Sequence, residues 1–185
     1  MTVSAEVKLL DQNTANQIAA GEVVEKPASV VKELVENALD AGAGKIDVTI
    51  FEGGTQYIRV ADDGSGMTEA NAKLAVLRHA TSKIRAAEDL MSLHTLGFRG
   101  EALPSIASVS NFQLLTRPAD EEFATSIRID GGEQTECQQT GGQAGTTVIV
   151  ENLFFNVPAR RKFLRTNAEN ATSAKSIFLS DRKSV

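Results

Sequence analysis

Glu33 and Asn37 stand four residues apart in KELVENALDAG, and on a helix that spacing sets a carboxylate and an amide about 40° apart, one turn from each other. A carboxylate so placed is able to hold and deprotonate a water, and an amide oxygen is a ligand for a hard cation such as Mg²⁺. On the same wheel Val30, Val31, Leu34, Val35 and Ala38 form an apolar stripe, with Glu33 and Asn37 beside its edge and Glu36 turned to solvent. An E-x-x-x-N spacing equally suits an exposed helix flank that alternates charges, so the pair needs company elsewhere in the chain.

VADDGSGM supplies a second group. It reads as a strand ending in Asp62, then Gly64, Gly66 and Met67, so that a carboxylate sits at a sheet edge beside backbone with no side chains to keep a flat ring away. Such an acid suits an exocyclic amine, although an Asp-Gly turn after a strand has the same pattern. A third group lies in HTLGFRGEALPSIASV, where Gly97 and Gly100 flank Phe98 and Arg99 just before a helix start at Glu101. Free backbone amides ahead of a helix dipole hold phosphate, and they also make an ordinary capping loop. Neither G-x-x-x-x-G-K-[ST] nor G-x-G-x-x-G occurs, which removes the P-loop and the Rossmann turn as competing phosphate sites.

The elements that must position these groups follow from periodicity and turn chemistry. Pro27 opens the helix PASVVKELVENALDAG and Gly42 and Gly44 stop it, with an earlier helix over TANQIAAGEVV. KIDVTIFE alternates Ile46, Val48 and Ile50, the Gly53-Gly54 pair turns, and QYIRVA returns as the second strand of a hairpin. Thr68 caps TEANAKLAVLRHA, residues 80 to 100 carry no sustained period and read as a loop, and EALPSIASV resumes a helix. NFQLLTR, FATSIRID, QTECQQT and TTVIVENL are strand-like and separated by turns, which predicts a meander. The expected fold is one α+β domain over residues 1 to 185, a two-layer sandwich with a mostly antiparallel sheet.

Composition bounds the function. At 42% hydrophobic and 23% charged, the 185 residues suffice for a core that buries roughly 70% of the unfolded surface. A formal charge of −5 argues against wholesale coating of nucleic acid, so any DNA contact is expected to be local. Cys137 is the sole cysteine, which excludes an internal disulfide, and with only His79 and His94 beside it no zinc-type spacing can be written. No signal-peptide core and no bilayer-length apolar run is present, so the expected setting is soluble and cytoplasmic, with no membrane partner.

The order E-x-x-x-N, D-x-G-x-G, glycine loop into a helix, then GTT at Gly145 to Thr147 resembles the GHKL ATPase superfamily. Within it NQIAAGEVVEKPASVVKELVENALDAG, RHATSKI, GFRGEAL and NLFFNVPARRKFL resemble the N-terminal ATPase domain of the MutL DNA mismatch repair family, over most of residues 13 to 165. The resemblance implies a Bergerat-type fold that binds ATP with Mg²⁺. It implies Glu33 as the general base toward the γ-phosphate, Asn37 as the Mg²⁺ ligand, and Asp62 as acceptor for the adenine amino group. Gly64, Gly66 and Met67 match the purine slot, and Thr146 matches the threonine that supports the acid. Thr81, Ser82 and Lys83, with Gly97, Phe98, Arg99, Gly100, Glu101, Ala102 and Leu103, match segments that fold over the triphosphate as a lid. For Glu101 itself a helix N-terminal position is expected to account for the acid, since a carboxylate repels phosphate.

In such a family ATP orders the lid and drives homodimerisation of the full-length protein, which signals to a MutS-like mismatch-recognition protein and to downstream repair enzymes, with weak non-specific DNA binding. After about Arg165 the tail TNAENATSAKSIFLSDRKSV leaves the family pattern, and the second domain that brings a lysine to the γ-phosphate is not in this sequence, nor is the C-terminal domain. Hydrolysis by these 185 residues alone is therefore expected to be slow or absent, and a module that binds ATP and recruits partners without turnover is the alternative. Asp63 is expected to change little at the free position of D-x-G-x-G. Arg160, Arg161, Lys162 and Arg165 are expected to form a solvated helix face, DNA phosphates being the alternative, and Phe154, Phe155 and Phe163 to be core. His79, His94 and Cys137 are expected to be structural.

Overall fold

The protein was analysed as a computed structural model, which describes residues 9, 11, 14, 18, 20, 21, 23–78, 80 and 100–166. Helix α1 (Pro27–Asp40) starts where a proline costs no hydrogen bond, after Lys26 in extended geometry. Pro27, Ala28, Val30, Val31, Leu34 and Ala38 are its buried face. It ends as Gly42 takes a left-handed φ of 73° and donates to the Leu39 carbonyl, while Ala43 N–H reaches back to Ala38 O at 3.1 Å. Residues 14, 18, 20, 21 and 23 are helical, as the TANQIAAGEVV pattern requires, and Ala20 and Val24 join the core.

The hairpin forms as expected: β1 (Ile46–Phe51), a 3₁₀ turn over Glu52–Gly54, and β2 (Tyr57–Asp62). Then come α2 (Glu69–Ala75), capped by the Thr68 hydroxyl on Asn71 N–H, and α3 (Ala102–Ser108). The rest is β3 (Asn111–Arg117), β4 (Ala124–Asp130), β5 (Glu133–Thr140), β6 (Gly145–Glu151) and α4 (Pro158–Thr166). The sheet runs β1-β2-β6-β3-β4-β5, antiparallel at every junction, with α1 and α3 layered against β2, β3 and β4.

The expected meander holds for β3-β4-β5 but not for β6, which crosses back to lie between β2 and β3. The exchange of places follows from composition. Val148 and Val150 of β6 are buried toward the helices and Ile149 is partly buried on the opposite face, a strand apolar enough for the sheet interior. Polar QTECQQT, mostly exposed, takes the edge, where unpaired backbone faces water.

Beyond the sheet, Phe154 is fully buried at a left-handed φ of 63°, whereas Phe155 is 39% and Phe163 68% exposed, so only the first is core. Arg160 is not part of a solvated face either. Its guanidinium donates to Val24 O at 3.1 Å and Gly21 O at 3.3 Å and lies 5.4 Å from the centroid of the Phe154 ring. It thereby ties α4 to the carbonyls at the end of the N-terminal helical segment. Gly21 permits this approach, since a Cβ there would stand 2.5 Å from Arg160 Nη2. Lys162 is exposed, while the side chain of Arg165 and residues 167–185 lie outside the described residues.

Two glycines with left-handed backbone should respond differently to a methyl group. Gly145 is buried at φ 109°, and an added Cβ would overlap the Asp62 carbonyl oxygen, whereas Gly42 at φ 73° has nothing within 4 Å. Gly145→Ala should lower stability by about 3 kcal/mol or more, against about 1 kcal/mol for Gly42→Ala. Equal shifts of the urea midpoint would contradict the close approach of β6 to β2.

Candidate active site

Asp62 is the last residue of β2, set opposite Ile46 on one side and Thr146 on the other. It therefore stands at the end of an interior strand rather than at a sheet edge, the consequence of β6 moving in beside β2. Its carboxylate Oδ1 accepts the Gly64 N–H at 2.9 Å. Partial burial raises the carboxyl above its ordinary value, with the neighbouring Asp63 charge adding to the rise, while the backbone N–H groups of Gly64 and Thr146 pull it back. The result is a half-desolvated acceptor with its orientation fixed by backbone amides.

The glycines after it meet protein rather than open space. A Cβ on Gly64 would come within 2.9 Å of Ala41 Cβ, Ala41 O and Asp62 Oδ1, and Ser65 N–H donates to that same Ala41 carbonyl at 3.0 Å. Gly66, at φ 65°, would strike the Arg117 carbonyl oxygen. The loop is thus wedged between the end of α1 and the end of β3, and its residues are small because backbone crosses backbone there.

Asp63, expected to change little, laces this corner together. Its Oδ1 accepts Gly44 N–H and Lys45 N–H, both at 2.8 Å, and its own N–H donates to Lys45 O at 3.3 Å. The Lys45 amide, then the Gly44 amide and the Lys45 charge, hold the carboxyl below its ordinary value. An Asp beside a glycine turn is a sequence signal for such amide bonds, although the motif leaves the position free.

Thr116 is a second such support. Only 1% exposed at the end of β3, it accepts Met67 N–H at 2.9 Å and sits 3.2 Å from Gly145 O and 3.0 Å from Thr146 Oγ1. Asp62, Thr146 and Thr116 lie in register across β2, β6 and β3. Nothing in NFQLLTR marks this threonine, since its role depends on which strand lies next to it.

On α1, Glu33 and Asn37 are both partly buried. The Asn37 carbonyl accepts Ala41 N–H at 3.0 Å, so Asn37 begins the turn against which the Gly64-Ser65 loop leans. Glu33 lies one turn earlier, roughly 12 Å along the axis from Ala41. Glu36 departs from expectation: its side chain is only 17% exposed and pairs with Lys32 at 3.5 Å. It lies opposite the apolar stripe, and a helical wheel knows only the face packed on the sheet.

Glu101 is the N-cap of α3 and its carboxylate meets Arg78 at 3.4 Å, both side chains being largely buried. Gly100, at φ 62°, precedes it, and Ala102 and Leu103 form the partly buried first turn of α3. Thr81, Ser82, Lys83, Gly97, Phe98 and Arg99, with His79 and His94, lie outside the described residues. Cys137 is a free, partly buried thiol on β5. Among the described residues no three His, Cys, Asp or Glu side chains gather as a metal site, and no helix is long and apolar enough to cross a membrane.

Known proteins share the sequence and the fold of this chain. Residues 25–144 match the family described as histidine kinase-, DNA gyrase B- and HSP90-like ATPases. The chain is 60% identical to the DNA mismatch repair protein MutL of Heliobacterium modesticaldum over 93% of its own length and 26% of that protein. It is 62% identical to MutL of Symbiobacterium thermophilum over 89% of its length and 26% of that protein. It thus spans about a quarter of the curated relatives it matches. Among solved structures, the N-terminal domain of a DNA repair protein superposes with a TM-score of 0.72 at 31% identity, covering 88% of this chain and 46% of that one. The Aquifex aeolicus MutL ATPase domain complexed with ADP gives a TM-score of 0.63 at 35% identity, covering 84% of this chain and 54% of that one. The chain belongs to the histidine kinase-, DNA gyrase B- and HSP90-like ATPase family and has the GHKL-type ATP-binding fold of MutL ATPase domains.

Proposed function

We propose that this domain binds ATP with Mg²⁺ and hydrolyses it within a MutL-type mismatch repair protein. The observation that carries the proposal is the Asp62 carboxylate, half buried and fixed by the Gly64 amide beside Thr146, at the corner where α1 ends. Asp62 accepts the adenine amino group, Gly64, Gly66 and Met67 form the backbone against the purine, and Thr146 supports the acid. Glu33, a turn before Asn37, orients and deprotonates the water that attacks the γ-phosphate. Asn37 would offer one amide oxygen to Mg²⁺, a hard cation that takes few protein ligands. Mg²⁺ so bound supplies charge neutralisation at the phosphates.

Thr81, Ser82, Lys83 and the loop from Gly97 to Leu103 close over the triphosphate. Closure promotes homodimerisation of the full-length cytoplasmic protein and signalling to a MutS-like partner and downstream repair enzymes, with weak, sequence-independent DNA contact. That contact excludes Arg160, whose guanidinium is engaged by backbone carbonyls. Turnover by the 185 residues alone is slow, because a lysine from a second domain and a partner subunit act on the transition state more than on binding.

Asp62→Asn separates function from stability. The folded carboxyl is raised, so the stability it contributes is present when it is protonated, below the unfolded value of 3.8, and is lost as pH rises through the folded value. At pH 7 the ionised acid therefore burdens the nucleotide-free fold. The Asp62→Asn variant should melt at an equal or higher temperature yet bind ATP more weakly by calorimetry; a lower melting temperature with unchanged ATP affinity would contradict the assignment.

Glu33→Ala should cost about 10² to 10⁴ in single-turnover hydrolysis by the full-length protein while ATP binding persists. Glu36→Ala should reduce stability rather than rate, as it removes a largely buried partner of Lys32. The opposite ranking in rate would move the water-activating role away from Glu33.

Amide exchange over residues 80 to 100 should slow when a non-hydrolysable ATP analogue is added, as phosphate engages the glycine-rich backbone. Identical exchange with and without the analogue would remove the lid from the proposal.

A further inference from the structure

Thr116 Oγ1 has three polar neighbours, and a hydroxyl can make three hydrogen bonds, with one proton to give and two lone pairs to receive. Met67 N–H, at 2.9 Å, can only donate, so it takes a lone pair. The Gly145 carbonyl, at 3.2 Å, can only accept, so it takes the proton. One lone pair is left for Thr146 Oγ1, at 3.0 Å, and that contact is a hydrogen bond only if Thr146 is the donor. This assignment alone satisfies all three contacts of the hydroxyl of a threonine that is 1% exposed, where an unmade bond is costly.

The consequence reaches Thr146. Its single proton is committed to Thr116, so toward anything lying beside Asp62 it presents lone pairs only. Asp62, its register partner on β2, is also an acceptor when ionised. Two acceptors side by side suit a purine with a 6-amino group and oppose one with a 6-oxo group, whose oxygen would find no proton on either.

We propose that Thr116 is a positioning residue for nucleobase specificity, locking the Thr146 hydroxyl as an acceptor and thereby setting the preference for adenine over guanine nucleotides. This rests on the reading of Asp62 as the acid that receives the purine. Without the Thr116 hydroxyl, the Thr146 proton is released and can turn to a 6-oxo oxygen, so discrimination weakens although Asp62 is untouched. A role confined to stability would instead weaken both nucleotides alike.

The test is calorimetric titration of ATP and GTP into the wild-type chain, Thr116→Val, Thr116→Ser and Thr146→Val, each checked for a cooperative melt. The ATP-to-GTP affinity ratio should fall about fivefold or more in Thr116→Val and return to within about twofold of wild type in Thr116→Ser, which keeps the hydroxyl. Thr146→Val, which removes the acceptor itself, should also lower the ratio, and an unchanged ratio there counts against the inference even if Thr116→Val fails to melt cooperatively. An unchanged ratio in folded Thr116→Val, or in Thr146→Val, overturns the inference while the purine reading stands. A wild-type chain that binds ATP and GTP equally sinks the purine reading, and the inference with it.

Discussion

The backbone of β6 passes so close to the end of β2 that only a glycine fits between them. Gly145, at φ 109°, lies where any Cβ would collide with the Asp62 carbonyl, and from that contact the rest of the site is laid out. It brings Thr146 level with Asp62 on one side and with Thr116 on the other. The Thr116 hydroxyl in turn grips the Met67 amide, which anchors the far end of the loop that begins at Gly64. An acid on one strand, a hydroxyl on the next and the short loop after the acid are thus held by close backbone crossings and one buried oxygen.

The second support is the end of α1. Ala41 O receives Ser65 N–H, Gly64 rests on Ala41, and Asp63 binds the amides of Gly44 and Lys45. The helix that carries Glu33 and Asn37 is therefore referenced directly to the loop that carries Asp62, without a long side chain in between. Short backbone-to-backbone links lose little rotamer freedom and keep such groups in a fixed relation, which is what a site needs when charge develops during reaction. Arg160 does comparable work at the other end, holding α4 against the N-terminal helical segment by two carbonyls and the Phe154 ring.

Electrostatics at this corner pull the adjacent acids apart. Asp62 is raised by burial and Asp63 is lowered by two amides and a lysine, although they are neighbours in sequence. The exposed acid stabilises the turn when ionised, whereas the half-buried one is a partly desolvated acceptor whose ionisation burial opposes. Consecutive carboxylates thus titrate in opposite directions according to what each side chain meets at the strand end.

Local periodicity determined much of this by itself: the α1 stripe from Val30 to Ala38, the hairpin around Gly53-Gly54, the Thr68 cap and the strand at NFQLLTR each depend on neighbours within a turn or two. The family motifs at Glu33, Asn37, Asp62 and Gly145 were legible for a related reason, since each combines a chemical group with a fixed short spacing. Tertiary structure alone decided where β6 lies, and so that Asp62 is interior, that Thr116 is a hub and that Gly64 and Gly66 are small for packing. It also decided that Arg160 and Glu36 are engaged rather than solvated, and that Phe155 and Phe163 are exposed. The physical reason is common to all of these: strand order and long side-chain contacts join residues dozens of positions apart, and no local period encodes which distant backbone will arrive beside a given side chain.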